Sequence, residues 1–256
     1  MTLNRKSCPL KVFYLPKEPQ LVVASDVHVR TENDDRYKLL CQLVDEAKRV
    51  GAKTFVLNGD IFDFFFGWGR YFRLKYSRLL NSLDELAKSG TTVWFVVGNH
   101  EFGLEALERH HKFSVIPSEG RVWKGAGGIS VLIAHGDLLR PDFWYNLFRA
   151  VVRSPVVNVL AWAFPQGLLD LFTLWFASTS RKKDKYRVLN HRKIIDSALM
   201  RLKDSGADMI IFGHFHHPYD ESKDDGTRFL SVTSWDKPSC LVVGADGNIE
   251  RVHPAD

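Results

Sequence analysis

The chain has 256 residues, enough for one domain with a full core and an insertion, or at most two small domains. Hydrophobic residues at 45% and charged residues at 25% exclude a disordered or fibrous chain and match a soluble globular protein. The net charge of +5 suits an anionic partner (nucleic acid, phosphate ester or acidic membrane surface) without choosing among them, and solubility alone is the plainer account. Cys8, Cys41 and Cys240 lie far apart with no CxxC pair, which speaks against a disulfide scaffold or a zinc ribbon. The opening stretch MTLNRKSCPLKVFYLPKEPQ starts basic but carries no apolar run and no small-residue cleavage site, so a cytoplasmic protein without a secretory signal is expected.

In chain order, Gln20–Ala24 is predicted as a buried strand ending at Ser25-Asp26. Tyr37–Val50 places Leu39, Leu40, Leu43, Val44 and Ala47 at helical spacing and stops at Gly51. Lys53–Leu57 is a second strand, ending at Asn58-Gly59-Asp60. A second helix over Tyr76–Lys88 closes at Gly90, and a third strand over Thr92–Val97 ends at Gly98-Asn99-His100-Glu101. Val131–Ala134 ends at His135-Gly136-Asp137, and Met209–Phe212 ends at Gly213-His214-Phe215-His216. Alternating strands and helices predict an α/β fold with ligands beyond the carboxyl ends of the strands. Strands around Arg228–Val232 and Cys240–Val243 follow without helices between them, so part of the sheet arrangement is expected to be antiparallel.

Five strand ends thus carry five polar motifs: Asp26-x-His28, Gly59-Asp60-x-x-Asp63, Gly98-Asn99-His100-Glu101, His135-Gly136-Asp137 and Gly213-His214-x-His216. Carboxylates, an amide oxygen and imidazoles together suit Mn²⁺, Fe or Zn²⁺ at an open site better than a thiolate-based structural zinc. The candidate ligands exceed what one tetrahedral ion needs, so two ions are the better count. Two ions sharing a carboxylate would clamp the attacking and leaving oxygens of a phosphoryl transfer. Asp63 is expected to orient a ligand from behind. His110, His111, His191 and His253 match no motif.

In this order and at these strand ends, the motifs resemble those of the calcineurin-like metallophosphoesterase superfamily, over a span from Asp26 to His216. The resemblance implies an α/β/β/α sandwich core with a di-metal centre, most simply of Mn²⁺. By position, Asp26, His28, Asp60 and His216 would hold one ion, and Asp60 would bridge to a second held with Asn99, His135 and His214. Asp60 and His100 would be the catalytic residues, His100 meeting the scissile phosphate as a non-ligand.

Between His135 and His214 lies SPVVNVLAWAFPQGLLDLFTLWFASTS, residues 154–180, with Asp170 as its one charge. Arg149 and Arg153 precede it, and Arg181, Lys182, Lys183, Lys185 and Arg187 follow. Pro165 and Gly167 interrupt the run, leaving each half too short for the ~20 apolar residues of a membrane span. Two short helices are expected, with more apolar surface than one stripe requires. A ligand groove, a membrane interface, a partner chain or plain core filling would each use it.

This insertion is similar to the helical cap of the UDP-2,3-diacylglucosamine hydrolases, which release UMP and lipid X in lipid A biosynthesis. Their Asp-x-x-Tyr-x-x-Phe-Arg pattern recurs as Asp142, Tyr145, Phe148 and Arg149, and two cap prolines match Pro155 and Pro165. Of their later Ser-x-x-x-Asn-x-x-Lys pattern only Ser180 is identical, with Asp184 and Arg187 at the other positions. The resemblance implies that Phe148 lies near acyl chain and that Asp142, Tyr145, Ser180 and Arg187, with His100, bind sugar and phosphates. It implies a core of residues 1–140 and 188–256 with a cap at 141–187. It further implies an acylated nucleotide-sugar or other amphipathic phosphate as substrate and a peripheral position on the inner membrane surface. Nucleases share this core, but the positive residues cluster around an apolar cap with no extended basic groove, so a nucleic-acid partner is not expected. A homodimer is left open. Two departures stand out: His100 and His217 occupy positions where that family commonly has arginine.

Overall fold

The computed structural model describes residues 11–68, 70–139 and 191–255, with isolated positions between 147 and 168. The cap residues Asp142, Tyr145, Phe148, Ser180 and Arg187 lie outside the described residues.

One sheet contains β1 (Leu21–Ala24), β2 (Thr54–Asn58), β4 (Thr92–Val96), β6 (Ser114–Ile116), β12 (Cys240–Val243) and β13 (Ile249–Val252), in the order β13-β12-β1-β2-β4-β6. The other contains β7 (Arg121–Lys124), β8 (Ser130–Ile133), β9 (Met209–Phe212), β10 (Asp220–Ser222) and β11 (Arg228–Ser231), in the order β10-β11-β9-β8-β7. A small parallel pair joins β3 (Phe65–Phe66) to β5 (Glu101–Phe102). Among the described residues the full α-helices are α1 (Asp35–Val50), α2 (Arg70–Lys75), α3 (Ser77–Lys88) and α4 (His191–Ser205).

The continuous apolar strands are explained by burial on both faces. In β1, Leu21 and Val23 point between the sheets, while Val22 and Ala24 pack on the helix side. The inter-sheet core joins Val56, Trp94 and Ile116 of one sheet to Trp123, Val131, Ile133, Ile211 and Leu230 of the other. Outside the first sheet, Leu40, Leu43 and Ala47 of α1 and Leu79, Leu83 and Leu86 of α3 cover its second face. Outside the second sheet, Ile194, Ala198 and Leu202 of α4 pack on Ile210, Phe212 and Phe229. Helix, sheet, sheet, helix is the expected α/β/β/α order. Each fully buried Val, Leu, Ile or Phe contributes roughly 1.5–3 kcal/mol relative to exposure.

Several elements differ in detail from the sequence reading. The first helix begins at Asp35 because the Asp34 carboxylate accepts the Arg36 amide at 3.0 Å, and it stops at Gly51, whose φ of 74° continues no right-handed turn. The second predicted helix begins one residue later than read, at Ser77, with α2 ahead of it. Antiparallel pairing enters at β1–β12, β12–β13, β7–β8 and β10–β11. The strand at Arg228–Ser231, however, runs parallel to β9, because the exposed β10 supplies the return leg between them.

The topology sets up the site. β1, β2 and β4 are mutually parallel in one sheet, as are β8 and β9 in the other. Their five carboxyl ends therefore gather at one edge of the sandwich.

Candidate metal centre

Asp26, Asp60 and Asn99 stand two to three residues beyond β1, β2 and β4, and His135 and His214 two residues beyond β8 and β9. The loops are tied to each other by main chain. The Asp26 and His28 amides donate to the Gly59 and Asp60 carbonyls at 3.1 and 3.0 Å, and the Gly213 amide donates to the His135 carbonyl at 2.8 Å. Asp26, His28, Asp60, His214 and His216 all have left-handed backbone, with φ between 52° and 68°. The one other non-glycine residue of this kind among the described residues is Glu18. Such conformations cost of order 1–3 kcal/mol each and persist where surrounding structure over-determines them. Here they turn successive side chains of short loops toward a common centre.

Glycines give that centre its tightness at two positions. A Cβ on Gly98 would fall on the Asp60 amide and carboxylate, and one on Gly59, at φ 79°, would fall on the His135 ring.

Among the described residues, donor atoms come within 4.8 Å of one another in three sets: Asp26, His28 and His216; His28, Asp60 and His100; and Asp60, His135 and His214. Nε2 of His28 and Nε2 of His216 are 3.1 Å apart, and Nε2 of His216 is 3.3 Å from Oδ1 of Asp26. On the other side, Nε2 of His135 is 3.4 Å from Oδ1 of Asp60 and 3.2 Å from Oδ1 of Asn99. The seven candidate ligands thus converge with Asp26, His28 and His216 on one side, Asn99, His135 and His214 on the other, and Asp60 in the two sets that reach His28 and His135. His214 and His216, which one short segment delivers, go to different groups. Buried carboxylates facing imidazole nitrogens are a donor set that fits borderline divalent ions.

Charges in this cluster follow from burial and proximity. Burial would raise the Asp60 carboxyl, but His100, His135 and His28 around it hold it well below the ordinary carboxylate range. Asp26 is likewise lowered, because His216 and His135 outweigh its burial. Burial pushes His28 and His214 down to about 4, leaving each neutral at neutral pH with one unprotonated ring nitrogen. Burial acts the same way on His135, but the Asp60 carboxylate outweighs it and lifts the imidazole to about 10. His100 is raised as well, its burial overcome by Asp60 and by a hydrogen bond to the backbone of Asp63.

That hydrogen bond joins Nδ1 of His100 to the Asp63 carbonyl at 2.7 Å, so Nδ1 is the donor, and Nε2 is turned toward Oδ2 of Asp60 at 3.8 Å. The Asp63 carboxylate lies 3.7 Å from Nδ1 of His28 and accepts Nε of Arg30 at 2.9 Å. Asp63 therefore contacts one candidate ligand and His100 at once.

Three supporting residues escaped the sequence reading. Ser25 donates its hydroxyl to the Asp26 carboxylate at 2.6 Å, Arg30 pairs with Asp63, and Glu101 lies wholly buried under the Asp60 turn. Ser25 precedes a motif residue and Glu101 closes the Gly98-Asn99-His100-Glu101 motif without a role assigned to it there; Arg30 offered no signal. His110, His111 and His253 stand outside the donor sets.

Overlapping acid-and-imidazole donor sets at the meeting edge of two sheets are what a metal-dependent phosphoester hydrolase requires. Residues 19–218 match the family model described as calcineurin-like phosphoesterase, and the chain belongs to that family. It is 26% identical to a UDP-2,3-diacylglucosamine hydrolase of Blochmanniella pennsylvanica, over 87% of this chain and 90% of that protein. Proteins of the same name from Pseudomonas aeruginosa and Neisseria meningitidis are each 24% identical, the first over 90% of this chain and 97% of its own length, the second over 88% and 94%. Among solved structures, a dimetal phosphatase from Danio rerio is similar with a TM-score of 0.44 at 14% identity, over 93% of this chain and 100% of that one.

Proposed function

We propose that this hydrolase cleaves the pyrophosphate of UDP-2,3-diacylglucosamine to UMP and lipid X, using two Mn²⁺ ions. The observation that carries the two-ion part is that Asp60 belongs to two of the donor sets, one with His28 and one with His135 and His214. Asp26, His28, Asp60 and His216 would hold one ion, and Asp60, Asn99, His135 and His214 the other. Bound there, the ions would supply a polarised phosphoryl group and an activated water.

This chain's own groups do the rest. His100, with Nδ1 committed to the Asp63 carbonyl, presents Nε2 to the reacting phosphate as a cation and proton donor. Residues 141–187 would form the cap over a core of 1–140 and 188–256, with Phe148 against acyl chain and Asp142, Tyr145, Ser180 and Arg187 toward sugar and phosphates. The support for this substrate is the named relatives, matched over most of both chains, and the Asp142, Tyr145, Phe148, Arg149 pattern. Leu147, Val151, Val156, Val159 and Leu168 are 44–67% exposed, apolar surface that suits acyl chains or the edge of a bilayer. No helix among the described residues is long and apolar enough to cross a membrane. A cytoplasmic enzyme resting peripherally on the inner membrane fits this reading.

His100 favours a second reading, hydrolysis of another lipid-linked or nucleotide phosphodiester. A sugar-phosphate leaving group departs without a proton, whereas an alkoxide needs one, and histidine supplies it near neutral pH where arginine does not.

The test is incubation of the protein with Mn²⁺ and UDP-2,3-diacylglucosamine in detergent, with Asp60→Ala as the blank. Metal-dependent release of UMP and lipid X is the expected result. Turnover of a simple phosphodiester without either product would overturn the substrate and leave the phosphoesterase.

A further inference from the structure

The Glu101 carboxylate is completely buried between two loops of the centre. Its Oε2 accepts the amides of Asp60 and Gly98, each at 2.9 Å, and its Oε1 accepts those of Ile61 and Phe62 at 2.7 and 3.2 Å. Three consecutive amides, from residue 60 to residue 62, thus form a concave nest around a carboxylate from the same chain. Among the described residues no lysine, arginine or histidine forms an ion pair with it. A buried carboxylate satisfied by amides alone is a demanding arrangement, and its partners lie in the turn that carries Asp60 and at the glycine that makes room for it.

We propose that Glu101 is a positioning residue for the metal centre, holding the left-handed Asp60 turn and the Gly98 turn in ligand-ready geometry before any ion arrives. The geometry is specific. The Asp60 amide is held by Glu101, while the Asp60 carboxylate accepts the His100 amide at 3.0 Å. Swinging the Asp60 side chain out of line breaks the bond to His100, and shifting its turn breaks the bond to Glu101. Because the Phe65 amide also donates to the His100 carbonyl at 3.0 Å, the same clamp carries His100 along with Asp60. The inference rests on the di-metal reading above for its consequence, though the clamp itself is independent of substrate.

Glutamine is the informative replacement. Two amides face each carboxylate oxygen, so a glutamine side chain, whichever way it is turned, sets its NH₂ against two N–H donors. Shape is kept and acceptor capacity is halved. Aspartate keeps both acceptor oxygens on a shorter stem.

The experiment is Mn²⁺ titration of the full chain by calorimetry, with electron paramagnetic resonance of the loaded protein, for wild type, Glu101→Gln and Glu101→Asp. Thermal unfolding of each metal-free protein reports whether it folds. The expected result is a loss of about 10–100-fold in Mn²⁺ affinity for Glu101→Gln, together with loss of the spin-coupled signal, while Glu101→Asp recovers most of both. Wild-type affinity in Glu101→Gln, or equal losses in the two variants, would overturn the proposal.

Hydrogen exchange on the metal-free wild type tests the same claim without mutation, and decides it should Glu101→Gln not fold. The amides of residues 60, 61, 62 and 98 are expected to be protected before Mn²⁺ is added. Free exchange until metal binds would overturn pre-organisation. A wild type that takes up one ion or none would sink the di-metal reading instead, leaving the exchange result to judge the clamp.

Discussion

The Asp26 carboxylate, at the end of β1, accepts the backbone amide of His214, at the end of β9, with both of its oxygens 3.0 Å from that nitrogen. A candidate metal ligand of one sheet is therefore also a hydrogen-bonded tie to the other sheet. Ser25 steadies it from behind, donating to Oδ2 of Asp26 and also to the Asn58 carbonyl. Replacing Asp26 with Ala strands the part-buried His214 amide and leaves the Ser25 hydroxyl only the Asn58 carbonyl. We expect the metal-free protein to lose about 1–3 kcal/mol of unfolding stability, beyond any effect on metal binding. Denaturant melts in excess chelator check this, and an unchanged midpoint would show that the tie contributes nothing.

Gly98→Ala should be more damaging than an added methyl group suggests. The new Cβ meets the Asp60 amide and carboxylate, which are backbone-anchored and cannot swing aside. Overpacking of this kind costs about 1–3 kcal/mol, and the strain falls on the ligand common to two donor sets. Reduced stability together with weakened Mn²⁺ binding is expected. Normal Mn²⁺ uptake would mean that the two turns can separate without consequence.

Metal uptake should depend on pH in a definite direction. His28 and His214, at about 4, are already neutral at pH 7, whereas His135, at about 10, still holds a proton. An ion taking Nε2 of His135 as ligand must displace that proton, so affinity rises with pH by about tenfold per unit while the free site stays protonated. Calorimetry in buffers of different ionisation enthalpy should count one proton released per protein. Uptake without proton release would remove His135 from the ligand set.

The same shifts bear on the stability of the metal-free fold. Because the folded His28 and His214 bind protons less readily than the unfolded chain, stability declines as pH falls from about 6.5 toward 4. His135 acts oppositely: its raised value contributes stability that is complete below about 6.5 and is lost as pH climbs through about 10. Chelated protein should therefore unfold more readily toward both ends of that range. A flat profile of unfolding midpoint against pH would contradict the charge assignment of the three histidines.

His100 can be read through the leaving group. With His100→Ala, a phosphodiester that expels an alkoxide should slow by about 10²–10⁴, the usual worth of a positioned proton donor. Hydrolysis of UDP-2,3-diacylglucosamine, whose leaving group is a phosphate, should slow by much less. Equal losses on both substrates would make His100 a source of charge rather than of a proton.

Phe148→Ala addresses the cap. Turnover of the acylated substrate should fall far more than turnover of a small chromogenic phosphodiester, since only the former has chains to bury. Parallel losses would give the cap a structural role instead.

Much of this protein was legible in its linear order. Apolar runs ending at Asp26, Asp60, Asn99, His135 and His214 mark strand ends by a local rule, because a strand buried on both faces needs an unbroken apolar stretch and its loop does not. The residue types at those ends carry the chemistry, and the alternation with helices carries the layer order. What local pattern cannot contain is which ends meet. That β8 and β9 bring His135 and His214 to Asp60 from a separate sheet, and that Arg228–Ser231 lies parallel to β9, follow from inter-sheet packing and pairing between distant segments. The exposed β10 and the three-residue β6 show no periodicity of their own and exist through their partners. Glu101 is the sharpest case. Within Gly98-Asn99-His100-Glu101 it reads as a polar loop residue, and only the folded chain brings to it amides some forty positions earlier. Side-chain type is a property of the sequence, whereas the set of groups a buried carboxylate must satisfy is decided by tertiary contact.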